Sequence, residues 1–86
     1  MSRPWRRPAD VGEVVDAGTV YLAHLPAGPI ALLEGSASVI WELAVTSPRD
    51  ELVAHVAEAF DVDTDAVRAD VEAFVADLLA RGLLED

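Results

Sequence analysis

The chain has 86 residues, no cysteine and no lysine, and its six Arg against sixteen acids give a formal net charge of −10. A chain this short buries only about 60–65% of its unfolded surface, which excludes a two-domain arrangement and leaves one modest core. Hydrophobic residues make up 52% of it, too many for an acidic disordered chain, and the missing cysteines exclude disulfides, thiolate zinc sites and iron–sulfur clusters.

Ser2 to Pro8 (SRPWRRP) holds three Arg, two Pro and a Trp without periodicity. Residues 1–10 therefore read as a flexible basic arm, and residues 11–86 as the folded domain. The arm either frays, or docks through Trp5 on the acidic body or on a partner. From Pro8 onward three Arg face all sixteen acids. A surface so negative repels phosphate backbones and anionic lipid headgroups, so nucleic acid and membrane are poor partners. Thr19 to Leu33 carries no acid and no Arg, but two prolines break it and it is shorter than the ~20 residues of a membrane span. No apolar run follows Arg3, Arg6 and Arg7, so a signal peptide is not expected and the expected location is cytoplasmic.

Val11 to Asp16, Thr19 to Leu25 and Pro29 to Glu34 are short β-branched and aliphatic runs separated by Asp16-Ala17-Gly18 and Pro26-Ala27-Gly28. They predict three antiparallel strands. In the third, Ile30 and Leu32 oppose Ala31 and Leu33, so both faces are apolar and one exceeds what a single core face needs.

The period then changes. Ser36 is placed as an N-cap, with Ala37, Ile40, Trp41 and Ala44 at helical spacing up to about Thr46. Ser47-Pro48, with Asp50 and Glu51 behind it, opens a second helix with Leu52, Val56, Ala59 and Phe60 as its buried stripe. Asp63 or Thr64 caps a third and longest helix, whose apolar arc is Val67, Val71, Phe74, Val75 and Leu78, with Asp70, Asp77 and Arg81 along one shoulder. Arg68 with Glu72 and Asp77 with Arg81 are spaced as surface ion pairs. Gly82 ends the helix, and Leu83-Leu84 folds back as an apolar hook.

Reactive chemistry is sparse. His24 and His55 have no third ligand at matching spacing, so no metal site is expected. No serine stands in a nucleophile elbow and no glycine turn matches a phosphate loop, so neither a catalytic residue nor a cofactor is expected. Asp61, Asp63 and Asp65 alternate as in a calcium loop, but Ala66 occupies the place of the required glycine and the cluster reads as helix capping. Three strands followed by three helices predict an α+β fold like a winged helix-turn-helix. The third helix holds too many acids to enter a DNA groove. An edge strand with spare apolar side chains beside a helix instead suits an added peptide strand.

Leu25 to Ala37 (LPAGPIALLEGSA), Ile40-Trp41-Glu42-Leu43, Phe60-Asp61-Val62-Asp63, Asp70 to Leu79 (DVEAFVADLL) and Gly82-Leu83-Leu84 resemble, in that order, the PqqD-like family of peptide-recognition elements from pathways that modify ribosomally made peptides. The resemblance implies a non-catalytic adapter that binds a precursor's leader segment as an extra strand and passes it to a leader peptidase, a cyclase or another modifying enzyme. The implied strand lies beside Ile30, Ala31, Leu32 and Leu33, in a groove between the third strand and the third helix. Ile30, Leu32, Phe74 and Leu78 would then supply pockets, and Glu34, Asp70 and Asp77 would pair with basic leader residues. Trp41 is similar to a residue of relatives in lasso-peptide pathways, although a Trp beside Leu52 and Phe60 also suits the core. The alternative expectation is an acidic winged-helix regulator that contacts a protein or DNA.

Overall fold

Val11–Asp16 (β1), Thr19–His24 (β2) and Ile30–Leu33 (β3) form an antiparallel sheet of order β1-β2-β3 in the computed structural model, which describes residues 2–86. Directly opposed residues share a face, so the pairs Val11 with His24, Glu13 with Leu22 and Leu22 with Ala31 define one side. On that side Val11, Val20, Leu22, Ala31 and Leu33 are buried. The other side carries Val14, Tyr21, Ile30 and Leu32, all exposed. Asp16 pairs with Thr19, leaving Ala17-Gly18 as a two-residue loop with φ of 51° and 82°. Positive φ at both positions is the twist that joins strands tightly, and alanine adopts it at a cost.

Three helices cover the buried face: Ser36–Thr46 (α1), Leu52–Phe60 (α2) and Thr64–Ala80 (α3). Trp41 of α1 is among the largest fully buried side chains, and its indole N–H donates to Glu13 Oε2 at 3.0 Å. A buried polar atom is thereby satisfied, and β1 is tied to α1. The α2 stripe differs from expectation, being Leu52, Val56 and Ala57, while Ala59 and Phe60 are exposed. Phe60 stands in the last turn, next to Asp61 at φ 54°, where the chain swings out of the helix beyond the core.

Of the expected caps, Asp63 keeps its position while those at Ser36 and Ser47 are replaced. Gly35, Glu51 and Asp63 occupy the N-cap positions without side-chain cap bonds, and a 3-10 turn at Arg49–Glu51 leads into α2. Ser47 turns inward, where its hydroxyl meets His55 Nδ1 at 2.8 Å. At the end of α3, Gly82 has φ 71° and donates to Leu79, while Leu83 donates to Leu78 at 2.9 Å. This double closure satisfies the last carbonyls and buries Leu83 against Leu78, as the hook expectation requires.

The basic arm, read either as frayed or as docked through Trp5, lies against the body. Trp5 N–H donates to the Ala44 carbonyl at 3.0 Å, and Arg6 and Glu85 exchange backbone bonds of 3.0 and 2.8 Å. The Arg49 guanidinium lies 3.8 Å from the centroid of the Trp5 ring and its Nη1 is 2.5 Å from Asp86 Oδ1. Arg7 donates to the Val11 carbonyl and sits 3.4 Å from Glu13. Attraction between three N-terminal Arg and an acidic body favours this docking over fraying.

Two outcomes follow. Replacing Ala17 by Asn, which tolerates positive φ, should stabilise the domain by about 0.5–1 kcal/mol in urea melts, whereas Ala17→Val should destabilise it. The hydrogen bond and charge of Arg49, with smaller help from Arg3 and Arg6, hold the Asp86 carboxyl below its ordinary value of 3.8. A carboxylate lowered by folding stabilises above its unfolded value, and that contribution is lost as pH falls through the folded one. The Asp86 carboxyl-carbon shift should therefore titrate below 3.8, and Arg49→Ala should return it to the ordinary range.

Candidate functional site

β1 is an edge of the sheet whose start is engaged by the arm through Arg7, while β3 is the other edge. Its four residues pair on one side with β2, in the register Val20 to Leu33 through Ala23 to Ile30. The groups facing the opposite side have no strand partner among the described residues. An unpaired ladder of this kind is a template for another chain.

The pleat sends β3 side chains to two destinations. Ala31 and Leu33 enter the same core as Val71, Val75 and Leu78 of α3, which places the strand and the helix around one apolar centre. Ile30 and Leu32 point to the open side of the sheet and are 71% and 51% exposed. There Ile30 joins Val14, Tyr21 and Leu25 around a shallow cleft of about 310 Å³ that Gly12 and Ala23 also line.

Geometry thus revises the expected set of pocket residues. Leu78 is wholly buried and offers no side-chain surface to a ligand. Ile30 and Leu32 lie on the opposite face of the sheet from Leu78, because residues alternate across a strand. Phe74 and Val67 remain half-buried at the margin of the core, on the α3 shoulder that also carries Asp70 and Asp77. Those two acids, together with Glu34 just beyond β3, are exposed. Asp77 is held by Arg81 at 3.3 Å as expected, whereas Arg68 pairs with Asp65 at 3.9 Å rather than with Glu72.

One positioning contact escaped the sequence reading. His24, half-exposed at the end of β2, donates from Nε2 to the Arg81 carbonyl at 3.0 Å and so pins the end of β2 to the end of α3. A Cβ at Gly82 would approach the His24 ring to 3.2 Å, and one at Gly28 would stand 2.5 Å from the His24 Cβ. Both glycines let the β2–β3 turn and the helix terminus close around this imidazole. The signal was the spacing of His24 to Gly28, but nothing local names the distant carbonyl.

Ser47, His55 and Glu51 form a chain of 2.8 and 3.8 Å, yet Ser47 is 5% exposed and its hydroxyl has no open approach for a substrate. Among the described residues, no three His, Cys, Asp or Glu gather as metal ligands.

The family model described as coenzyme PQQ synthesis protein D, PqqD, matches residues 19–84. Among solved structures, "TbiB1 in Complex with the TbiA(beta) Leader Peptide" is similar at a TM-score of 0.81 and 28% identity, covering 93% of this chain and 94% of that one. No curated protein sequence matches the chain. With a match running from β2 through the hook after α3, on a three-strand, three-helix fold shared with that structure, the chain belongs to the PqqD family.

Proposed function

We propose that this protein is a non-catalytic adapter that binds the leader segment of a ribosomally made precursor peptide as an added strand on β3 and presents it to a processing enzyme. The observation that carries this reading is the open β3 edge in a fold similar, over 93% of the chain, to a protein solved with a leader peptide. Main-chain pairing supplies affinity, and alternate side chains of the added strand supply selection. Those on one face meet the α3 shoulder with Phe74, Asp70 and Asp77; those on the other continue the apolar surface of Ile30 and Leu32. Exposed acids on Glu34, Asp70 and Asp77 favour a leader with basic residues beside its strand.

The processing enzyme in this reading is a leader peptidase, a cyclase or another modifying enzyme. A lasso-peptide pathway is the one we favour, on the similarity of Trp41 to its relatives there. The burial of Trp41 is consistent with a role in holding the fold rather than touching the leader. The cytoplasm is the proposed place of action; among the described residues no helix is long and apolar enough to cross a membrane.

A labelled leader from the precursor encoded beside this protein should bind with micromolar or tighter affinity in an anisotropy titration. Replacing both Asp70 and Asp77 by Asn should weaken it by about 3- to 10-fold, most visibly at low salt. Leu32→Asp should abolish binding while leaving the urea midpoint close to that of the parent, because the side chain is outside the core. Leu33→Asp, one residue on, should unfold the domain by burying a charge. No binding of that leader, or salt-sensitive binding of duplex DNA in its place, would overturn the reading.

A further inference from the structure

α3 has a second shoulder, turned away from Asp70 and Phe74, where Glu72, Ala76 and Leu79 face α2. Between the two helices runs an apolar groove of about 270 Å³, floored by Leu52, Val53 and Val75 and closed at one end by Trp5 and Arg49. Trp5 and Arg49 also line the adjoining pocket of about 260 Å³, together with Arg3, Pro4, Arg6 and Asp86. Three of the six Arg of a chain with net charge −10 therefore converge on one place. The indole of Trp5 stands between the apolar groove and the basic pocket.

This pocket already holds a carboxylate. Asp86 Oδ1 lies 2.5 Å from Arg49 Nη1, while the neighbouring Glu85 pairs with Arg6 at 2.5 Å. The Asp86 side chain is 80% exposed and the Arg49 side chain 24%, so Asp86 reaches the pocket from the solvent side, where another carboxylate can exchange with it. Arg49 keeps its place without Asp86, since it stacks on Trp5 and its Nη2 lies 3.4 Å from the Pro4 carbonyl. Its Nε is buried and has no hydrogen-bond partner among the described residues.

We propose that this face docks an acidic peptide segment of the processing enzyme, one that seats a carboxylate in the Arg3, Arg6 and Arg49 pocket and an apolar side chain in the groove between α2 and α3. Asp86 holds the carboxylate position until the segment arrives. The identity of the partner rests on the adapter reading; the chemistry of the segment rests on the charge and shape of the pocket alone. Elsewhere the body is acidic and repels such a segment, so this is where it lands. The leader strand on β3 and the docked segment lie on opposite shoulders of α3, and both are held at once.

The full isotopically labelled chain, titrated with the free peptide Leu-Leu-Glu-Asp as probe and with Leu-Leu-Lys-Lys as control, tests this by NMR. The acidic peptide should shift the Trp5 indole and Arg49 guanidinium signals and the control should not. Asp86→Asn, which removes the resident side-chain charge from the pocket, should tighten the probe by about threefold to fivefold. Arg3→Glu, on an exposed position that leaves the fold intact, should weaken it by a similar factor or more. In the same samples leader affinity should be unchanged by either substitution. Absent shifts, equal shifts with the basic control, shifts confined to Asp70 and Phe74, or full displacement by millimolar inorganic phosphate would each overturn the proposal. So would concentration-dependent self-association in sedimentation that Arg3→Glu abolishes, which would assign the pocket to a second copy's tail. A leader that fails to bind any of these proteins would instead sink the adapter reading and leave the probe result standing.

Discussion

Three strands make a sheet with two faces and two edges, and three helices in a chain of this length cover just one face. Everything else in the structure is arranged around that shortfall. The helices bury Val20, Leu22, Ala31 and Leu33, and the opposite face keeps Val14, Tyr21, Ile30 and Leu32 in water. One edge, β1, begins where the arm is fastened by Arg7. The other, β3, is left as a ladder of only four residues. Such shortness protects an edge from indiscriminate pairing, so a partner must bring further contacts to bind firmly. In the proposed reading the α3 shoulder with Phe74, Asp70 and Asp77 supplies them, and His24 ties the end of that helix to the end of β2.

Charge divides the molecule in the same way. Acids are spread over α3 and the loops, whereas the N-terminal Arg residues gather against the C-terminal acids Glu85 and Asp86. The two termini are thereby joined by a backbone exchange between Arg6 and Glu85 and by ion pairs that are individually weak. Trp5 makes the junction more than electrostatic, because its ring carries Arg49 and lines the apolar groove of α2 and α3.

The strands, α1 and the end of α3 were legible because local chemistry decides them. Asp16-Ala17-Gly18 marks a hairpin, Gly82 marks a helix end, and period-2 and period-3.6 patterns separate the sheet from the helices. Where side chains choose between a local and a distant partner, local rules failed. Ser47 has the sequence of an N-cap but bonds to His55, and His24 has the look of a surface residue but reaches Arg81. The candidate site was half legible for a related reason. Alternation showed that both faces of β3 are apolar, but not which face the helices would cover, so Leu78 was grouped with Ile30 and Leu32 although the sheet lies between them. Docking of the arm through Trp5 was an open alternative, but no pattern near Trp5 announces Ala44, Arg49 or Glu85 as its neighbours.

α3 is the element that turns these separate features into one design. An apolar arc centred on Val71, Val75 and Leu78 commits its middle to the core. What remains are two shoulders, each too narrow to bury a large partner alone and each of different character. The side with Asp70 and Asp77 is acidic and exposed; the side with Glu72, Ala76 and Leu79 lines the groove toward α2, which also reaches Trp5 and Arg49. On the proposed reading, a basic segment and an acidic one would be sorted to opposite sides of a single helix by charge. For an adapter of the kind proposed, that separation would matter more than the strength of either contact, because both are made at once.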